Sequence, residues 1–141
     1  MKTRRQARAC ALQALFEIDS VGHDAAGVVE RRCEDENLSA DGVEFMQALT
    51  QGVLENRARL DEQIGKHAPE WPVEQLAIVD RNVLRMALFE LQFAADVPIK
   101  VAVNEAVELA KIYGSDSAAR FVNGVLGAFL QAHPAGELRR S

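Results

Sequence analysis

Cysteine occurs only twice in the 141 residues, proline four times, and tryptophan and tyrosine once each. Cys10 and Cys33 have neither zinc nor redox spacing, so a disulfide scaffold is excluded. Both are expected to be small core residues in a reducing cytosol. No apolar run approaches the ~18 residues of a membrane span. The basic start, Met1-Lys2-Thr3-Arg4-Arg5-Gln6, is followed by no long apolar stretch, so no secretory signal is expected and the location is read as cytoplasmic. Catalytic signatures are also missing. His23, His67 and His133 lie 44 and 66 residues apart, with no H-E-x-x-H and no Cys–His spacing. There is no G-x-G-x-x-G, Walker loop or G-x-S-x-G. The many carboxylates read as solvated helix faces. No catalytic residue, metal site or cofactor is therefore expected. Period-2 alternation is absent too, which removes the signal for strands.

What is present describes an ordinary globular chain. Apolar residues make up 48% and charged residues 26%, which rules out a disordered tail or a collagen-like repeat. The length suits one domain, residues 1–141, with two lobes. Such a chain buries roughly 68% of its unfolded surface and needs no metal or disulfide staple. The net charge of −5 is unevenly spread. Residues 1–16 carry Lys2, Arg4, Arg5 and Arg8 and no acid, a net of +4. Residues 17–80 carry fifteen acids and five bases, a net of −10, and residues 81–141 carry seven bases and six acids, a net of +1. A pI near 5.2 argues against nucleic acid. The local field at the N-terminus argues the other way, because a phosphate responds to charges within about a Debye length, ~8 Å at physiological salt. On charge alone, a basic terminus that aids solubility is the plainer reading.

Helical periodicity runs throughout. Thr3-x-x-Gln6 has the form of a capping box, and Ala7, Ala11, Ala14, Leu15 and Ile18 follow on one face to about Asp19, before Gly22. Arg5 and Phe16 stand eleven residues, about three turns, apart and share a stripe. A lone phenylalanine is most often core, whereas a basic end with an aromatic on one stripe suits phosphate contact and base stacking. Asp24 is expected to cap a second helix, with Val28, Val29 and Cys33 inward. Asp41-x-x-Glu44 is expected to open a third, continuous to about Lys66 through Phe45, Met46, Leu49, Val53, Leu60 and Ile64. Pro69-Glu70-Trp71-Pro72 then interrupts the pattern, so subdomains of about 1–68 and 72–134 are expected, with Trp71 as a plug between them. Asp80 stands where a cap is wanted for the Val83–Leu91 stripe. Pro98 starts the next helix, Gly114 ends it, and Ser115 or Ser117 caps the last. Gly124 and Gly127 are expected to let helices approach, and Asn104 and Asn123 to make buried hydrogen bonds. The fold class is all-α, a compact bundle of six or seven helices in two subdomains.

Four segments share a further likeness. Arg4-Arg5-Gln6-Ala7-Arg8 with Ala11-Leu12-Gln13-Ala14-Leu15-Phe16, the run Asp80 to Leu91, the run Val97 to Lys111, and Arg120-Phe121-Val122-Asn123-Gly124-Val125-Leu126 occur in the order and spacing of one family. Together they resemble the transcription antitermination factor NusB family. The likeness covers nearly the whole chain, and residues 20–75 carry little of it.

The resemblance implies an all-helical fold of two small subdomains and a non-enzymatic protein. It implies binding of boxA leader RNA together with NusE, a ribosomal small-subunit protein. With other Nus factors, that pair makes RNA polymerase read through terminators in ribosomal RNA operons. It carries the arginine-rich start over to Arg4, Arg5 and Arg8, with Lys2 beside them, and the aromatic at the end of the first helix to Phe16, where some relatives have tyrosine. The acidic position of the central helix falls on Asp80. The edge between the last two helices falls on Tyr113, Ser117, Arg120 and Phe121, and some relatives have an acid at the position of Ser117. These corners are expected to form one RNA-facing rim, with the NusE surface largely on the C-terminal lobe. A homodimer stays open, since faces such as that of Phe45, Met46 and Leu49 can pack internally or between copies. Two other classes stay open as well. One is a protein–protein adaptor whose basic terminus is irrelevant. The other is the RNA-binding module of an RNA cytosine methyltransferase, which needs a downstream Rossmann-type domain for which a chain ending at Ser141 is expected to leave no room.

Overall fold

In the computed structural model, residues 2–134 are described, with the side chain of Lys2 outside the description. Among the described residues there are seven α-helices, one 3-10 turn and no strand. The helices are α1 (Lys2–Val21), α2 (Ala25–Asp35), α3 (Ala40–Glu55), α4 (Arg57–His67), α5 (Ile78–Phe93), α6 (Ile99–Tyr113) and α7 (Ala118–Ala132), with the 3-10 turn at Val73–Gln75. None of the described helices is long and apolar enough to cross a membrane. The all-α expectation of six or seven helices holds.

The chain divides into two compact units, Met1–Glu55 and Asn56–Ser141. The division falls at Asn56, ahead of the Pro69–Pro72 break that the sequence suggests. The long helix expected from Asp41 to Lys66 is interrupted there, where Asn56 leaves helical geometry at φ −108°, ψ 14°. Apolar periodicity continues across the interruption, and neither proline nor glycine marks it, so nothing local announces it. Trp71 is 62% exposed, so the burial expected of it is not seen.

In the first unit α1 packs mainly on α3, and α2 bridges toward both. Ala7, Ala11 and Ala14 are wholly buried, and these small side chains let helix backbones come close. The start of α3 is tight against α1, since a Cβ on Gly42 would stand 3.2 Å from the Thr3 methyl. Leu12, Leu15, Val28, Met46, Leu49 and Val53 complete the buried set. Both thiols are free and buried, as expected. Cys10 donates to the Arg32 carbonyl at 3.5 Å, and burial pushes its thiol up to about 11. Asp24 caps α2 as expected, accepting from the Gly27 N–H at 3.1 Å. The other two caps are corrected. Thr3 lies inside α1, which already runs from Lys2. Ser39, not Asp41, caps α3, accepting from the Gly42 N–H at 3.1 Å.

The second unit is built on α5, which packs against α4, α6 and α7. Eight consecutive residues on it, Asn82–Phe89, are buried or nearly so, which marks a central helix. Its polar side chains are held accordingly. Arg85 is buried and makes a bidentate pair with Asp61 of α4, Nε to Oδ1 at 2.7 Å and Nη2 to Oδ2 at 3.0 Å. It also donates to Asn82 Oδ1 at 3.2 Å. Gln63 and Gln92 exchange amide hydrogen bonds of 2.9 and 2.8 Å farther along the same helix pair. Phe129 is fully buried, with the His67 ring edge-on at 5.8 Å and the His133 ring stacked at 4.5 Å. Asp80 is in the first turn of α5, and Ala77 holds the cap position instead. Asn104 and Asn123 are exposed, so the expected buried hydrogen bonds do not form. Gly124 and Gly127 have no atom of the described residues within 4 Å of where a Cβ would stand, so the close helix approach expected there is not seen.

Candidate nucleic-acid interface

The expected contact residues fall in both units. Lys2, Arg4, Arg5, Arg8 and Phe16 belong to the first, and Asp80, Tyr113, Ser117, Arg120 and Phe121 to the second. The side chain of Lys2 lies outside the described residues.

On α1 the faces are set by the alanine stripe. Burying Ala7, Ala11 and Ala14 turns Arg5 and Phe16 toward solvent. Phe16 is 41% exposed, so its ring is not core, contrary to what an isolated phenylalanine suggests. Three helical turns separate the two residues, about 16 Å along the axis. That span fits a cation and a stacking ring used on one strand. Arg4 and Arg8 are arranged differently. The Phe45 ring of α3 lies beneath both guanidinium carbons, 4.7 Å from Arg4 and 5.0 Å from Arg8. Arg8 is only 4% exposed, whereas Arg4 is half-buried. The ring attracts both cations through its quadrupole. Phe45 reads as core in the sequence. Only the packing of α3 on α1 reveals its second role.

The acid next to Phe16 is neutralised. Glu17 accepts from His23 Nδ1 at 2.6 Å, from Arg31 Nη2 at 3.1 Å and from Arg32 Nη2 at 3.4 Å. Arg32 also donates to Gln13 Oε1 at 2.9 Å. The hydrogen bonds from His23 and Arg31 bring the Glu17 carboxyl from its ordinary 4.5 down to about 2. A carboxylate that would repel phosphate beside Phe16 is thus compensated, by residues the sequence alone did not connect to it.

In the second unit, the α6–α7 corner gathers the remaining candidates. Gly114 ends α6 with extended backbone, its N–H on the Ala110 carbonyl at 2.9 Å. A Cβ there would stand 2.5 Å from Ala118 Cβ and 2.8 Å from the Ala110 oxygen, so the corner is as tight as glycine permits. Tyr113 precedes it, 39% exposed. Ser117 begins α7 without a side-chain cap, and its carbonyl accepts from the Phe121 N–H at 3.1 Å. Arg120 is exposed and Phe121 half-buried. The Asp80 carboxylate lies under the corner, with Oδ1 3.4 Å from where the Gly114 Cβ would be. That oxygen is buried and has no hydrogen-bond partner among the described residues, and burial raises the Asp80 pKa. Among the described residues, no group of three or more His, Cys, Asp or Glu is arranged to hold a metal.

Comparison with known proteins matches this architecture. The model of the NusB family matches residues 5–131. A transcription antitermination protein NusB from Dehalococcoides mccartyi (strain CBDB1) is 50% identical over 130 residues, covering 92% of this chain and 91% of that protein. The solved structure of NusB from T. maritima superposes with a TM-score of 0.86 at 35% identity, over 92% of each chain. A crystal structure of antitermination factors NusB and NusE in complex with dsRNA matches with a TM-score of 0.86 at 29% identity, over 94% of this chain and 99% of that one. With a family model matched over most of its length and half of the 130 aligned positions shared with such a relative, the chain belongs to the NusB family.

Proposed function

We propose that this chain is a non-catalytic transcription antitermination factor. It binds boxA-type single-stranded leader RNA together with NusE and, with other Nus factors, promotes read-through by RNA polymerase in ribosomal RNA operons. The observation that carries the reading is the solvent-facing Arg5–Phe16 stripe beside the Phe45-braced Arg4 and Arg8. It stands in a chain with the fold of a NusB solved with NusE and RNA.

The chemistry follows from the residue types. Lys2, Arg4 and Arg5 neutralise phosphates and release counterions. Arg8, buried on the other guanidinium of the Phe45 pair, holds the local positive field without reaching far into solvent. Phe16 stacks an unpaired base, an interaction worth ~1–3 kcal/mol. In the second unit, Tyr113 and Phe121 offer further rings, Arg120 a further cation, and Ser117 and Asp80 hydrogen-bonding groups for base edges. Single strands expose base edges and faces that a duplex hides, so this combination favours unpaired RNA. NusE contacts the RNA and this chain, and the coupling between the two binding events is reciprocal.

The test is fluorescence anisotropy with a boxA-type single strand, a scrambled strand of equal length and a duplex. Each is titrated with the protein at several salt concentrations, with and without NusE. The expected result is preference for boxA, strengthened by NusE, with a salt slope of roughly −2 to −3 for three or four phosphate contacts. Replacement of Phe16 by Ala should weaken binding about 5- to 100-fold, the range of one lost stack, and leave that slope unchanged. Equal binding of boxA and scrambled RNA, or none with NusE present, refutes the reading.

A further inference from the structure

We propose that the trough between α2 and α3 is a docking site for a basic amphipathic helix of a protein partner. An open groove of about 700 Å³ lies there, lined entirely by residues of these two helices in the first unit. Ala26 and Val29 of α2 and Leu54 of α3 supply its apolar surface, and Glu30, Gln51 and Glu55 its polar surface. On α3 the lining recurs at Gln47, Thr50, Gln51 and Leu54, one helix stripe. The two stripes therefore run as rails on which a third helix can lie, with its apolar face inward. The volume alone also fits a small molecule, but such ligands bury most of their surface in enclosed clefts, and this groove is open.

Charge selects the occupant. Residues 25–55 hold seven acids and only two bases, Arg31 and Arg32. Both arginines are drawn to Glu17 of α1, at 3.1 and 3.4 Å, and so face away from the trough's own acids. Glu30 and Glu55 are exposed, and Glu55 accepts from Gln51 at 3.0 Å. An RNA backbone is repelled by such a field. A helix with leucines at i, i+3, i+4 and i+7 can seat them against Ala26, Val29 and Leu54, while its lysines or arginines extend their stems outward to Glu30 and Glu55. The lining shares no residue with the α1 stripe proposed for RNA, so the site stands independently of that reading.

The experiment uses the full chain, 15N-labelled, and a designed 18-residue helical peptide with that leucine pattern and lysine elsewhere. Two control peptides carry glutamate in place of lysine, or the same composition scrambled out of register. The expected result is amide shift changes concentrated on Ala26, Val29, Gln51 and Leu54 with the basic amphipathic peptide alone. Affinity should fall at least fivefold in the Glu30→Lys/Glu55→Lys variant, whose helical circular dichroism is expected to match the parent. Four outcomes overturn the proposal: shifts scattered over other acidic surface, equal binding of the scrambled peptide, equal binding by the variant, or shifts at these residues with single-stranded RNA. Concentration-dependent shifts at these residues without peptide would assign the groove to a second copy of the chain and overturn it likewise.

Discussion

Replacing Phe45 by leucine should weaken RNA binding although the ring is not among the residues proposed to touch RNA. The ring lies 4.7 Å from the Arg4 guanidinium and 5.0 Å from that of Arg8. Leucine keeps the apolar bulk and removes the quadrupole. Each cation–π contact is worth about 0.5–1 kcal/mol at an exposed site and ~2 kcal/mol when desolvated. Half-buried Arg4 belongs near the first figure and buried Arg8 near the second, so the substitution should lower stability by about 2–3 kcal/mol. The effect on binding is smaller and separate. Arg4 loses one of the contacts that order it, and RNA must immobilise it further, at about 0.5–1.5 kcal/mol, or roughly two- to tenfold in Kd. The charge is unchanged, so the salt slope should stay that of the parent. Arg4→Ala, by contrast, should make the slope shallower by about 0.7. Phe45→Tyr retains the ring and should bind as the parent does. Anisotropy across a salt series checks all three, below the melting temperature of each variant. Parent-like affinity in folded Phe45→Leu, or a loss in Phe45→Tyr equal to that in Phe45→Leu, would refute the reasoning.

Three further outcomes follow from the packing. Asp61→Ala leaves buried Arg85 without its carboxylate and should cost about 3 kcal/mol, the low end for a broken buried pair because Asp61 itself is partly exposed. Thermal unfolding should show this as a drop of roughly 10 °C, and a drop under 2 °C would deny the pair that role. Gly114→Ala forces a methyl to 2.5 Å from Ala118 Cβ and should destabilise by about 1–3 kcal/mol in chemical denaturation, where an unchanged midpoint would show the corner to be pliable. The Glu17 carboxyl titrates near 2 in the folded chain against an ordinary 4.5, so its stabilising contribution is complete above about pH 4.5 and disappears as the pH falls toward 2. The difference in melting temperature between the parent and Glu17→Gln should therefore be full at pH 6 and shrink below 4.5, and a gap constant down to pH 3 would contradict the pairing.

Periodicity makes helix faces legible, and little else. The alanine stripe of α1 is readable because small residues recur at 7, 11 and 14, and Gly22 marks its end. The Pro98 start and Gly114 end of α6 are readable because each residue has a local backbone reason to be there. The break at Asn56 is not, since apolar spacing stays in phase through it. The cap at Ser39 is masked by an equally good candidate two residues on, Asp41. No linear spacing connects Arg85 to its partner, which α4 supplies by bringing Asp61 within 2.7 Å. The exposed asparagines 104 and 123 mislead in the opposite sense, because a helix-disfavouring residue can be tolerated at a solvated position without buried compensation.

The candidate interface follows the same division. Phe16 and Arg5 on one stripe can be read from spacing alone, but that Phe16 is exposed depends on which arc of α1 the core takes. Phe45 and Glu17 act through contacts between helices, which no linear pattern encodes. Overall charge is the poorest guide, and the arginines explain why. Arg31 and Arg32 are bound to Glu17, Arg85 to Asp61, and Arg81 donates to the carbonyl of Glu74 at 2.9 Å. In each case an oxygen takes the in-plane N–H edge of the guanidinium, the same edge a phosphate uses. Arg4 and Arg8 also rest on a ring, with their guanidinium carbons 4.7 and 5.0 Å from the Phe45 centroid. A carboxylate partner at 45 would have ordered these arginines while occupying phosphate-binding donors and cancelling charge. A phenylalanine attracts both cations and adds no negative charge of its own at that position.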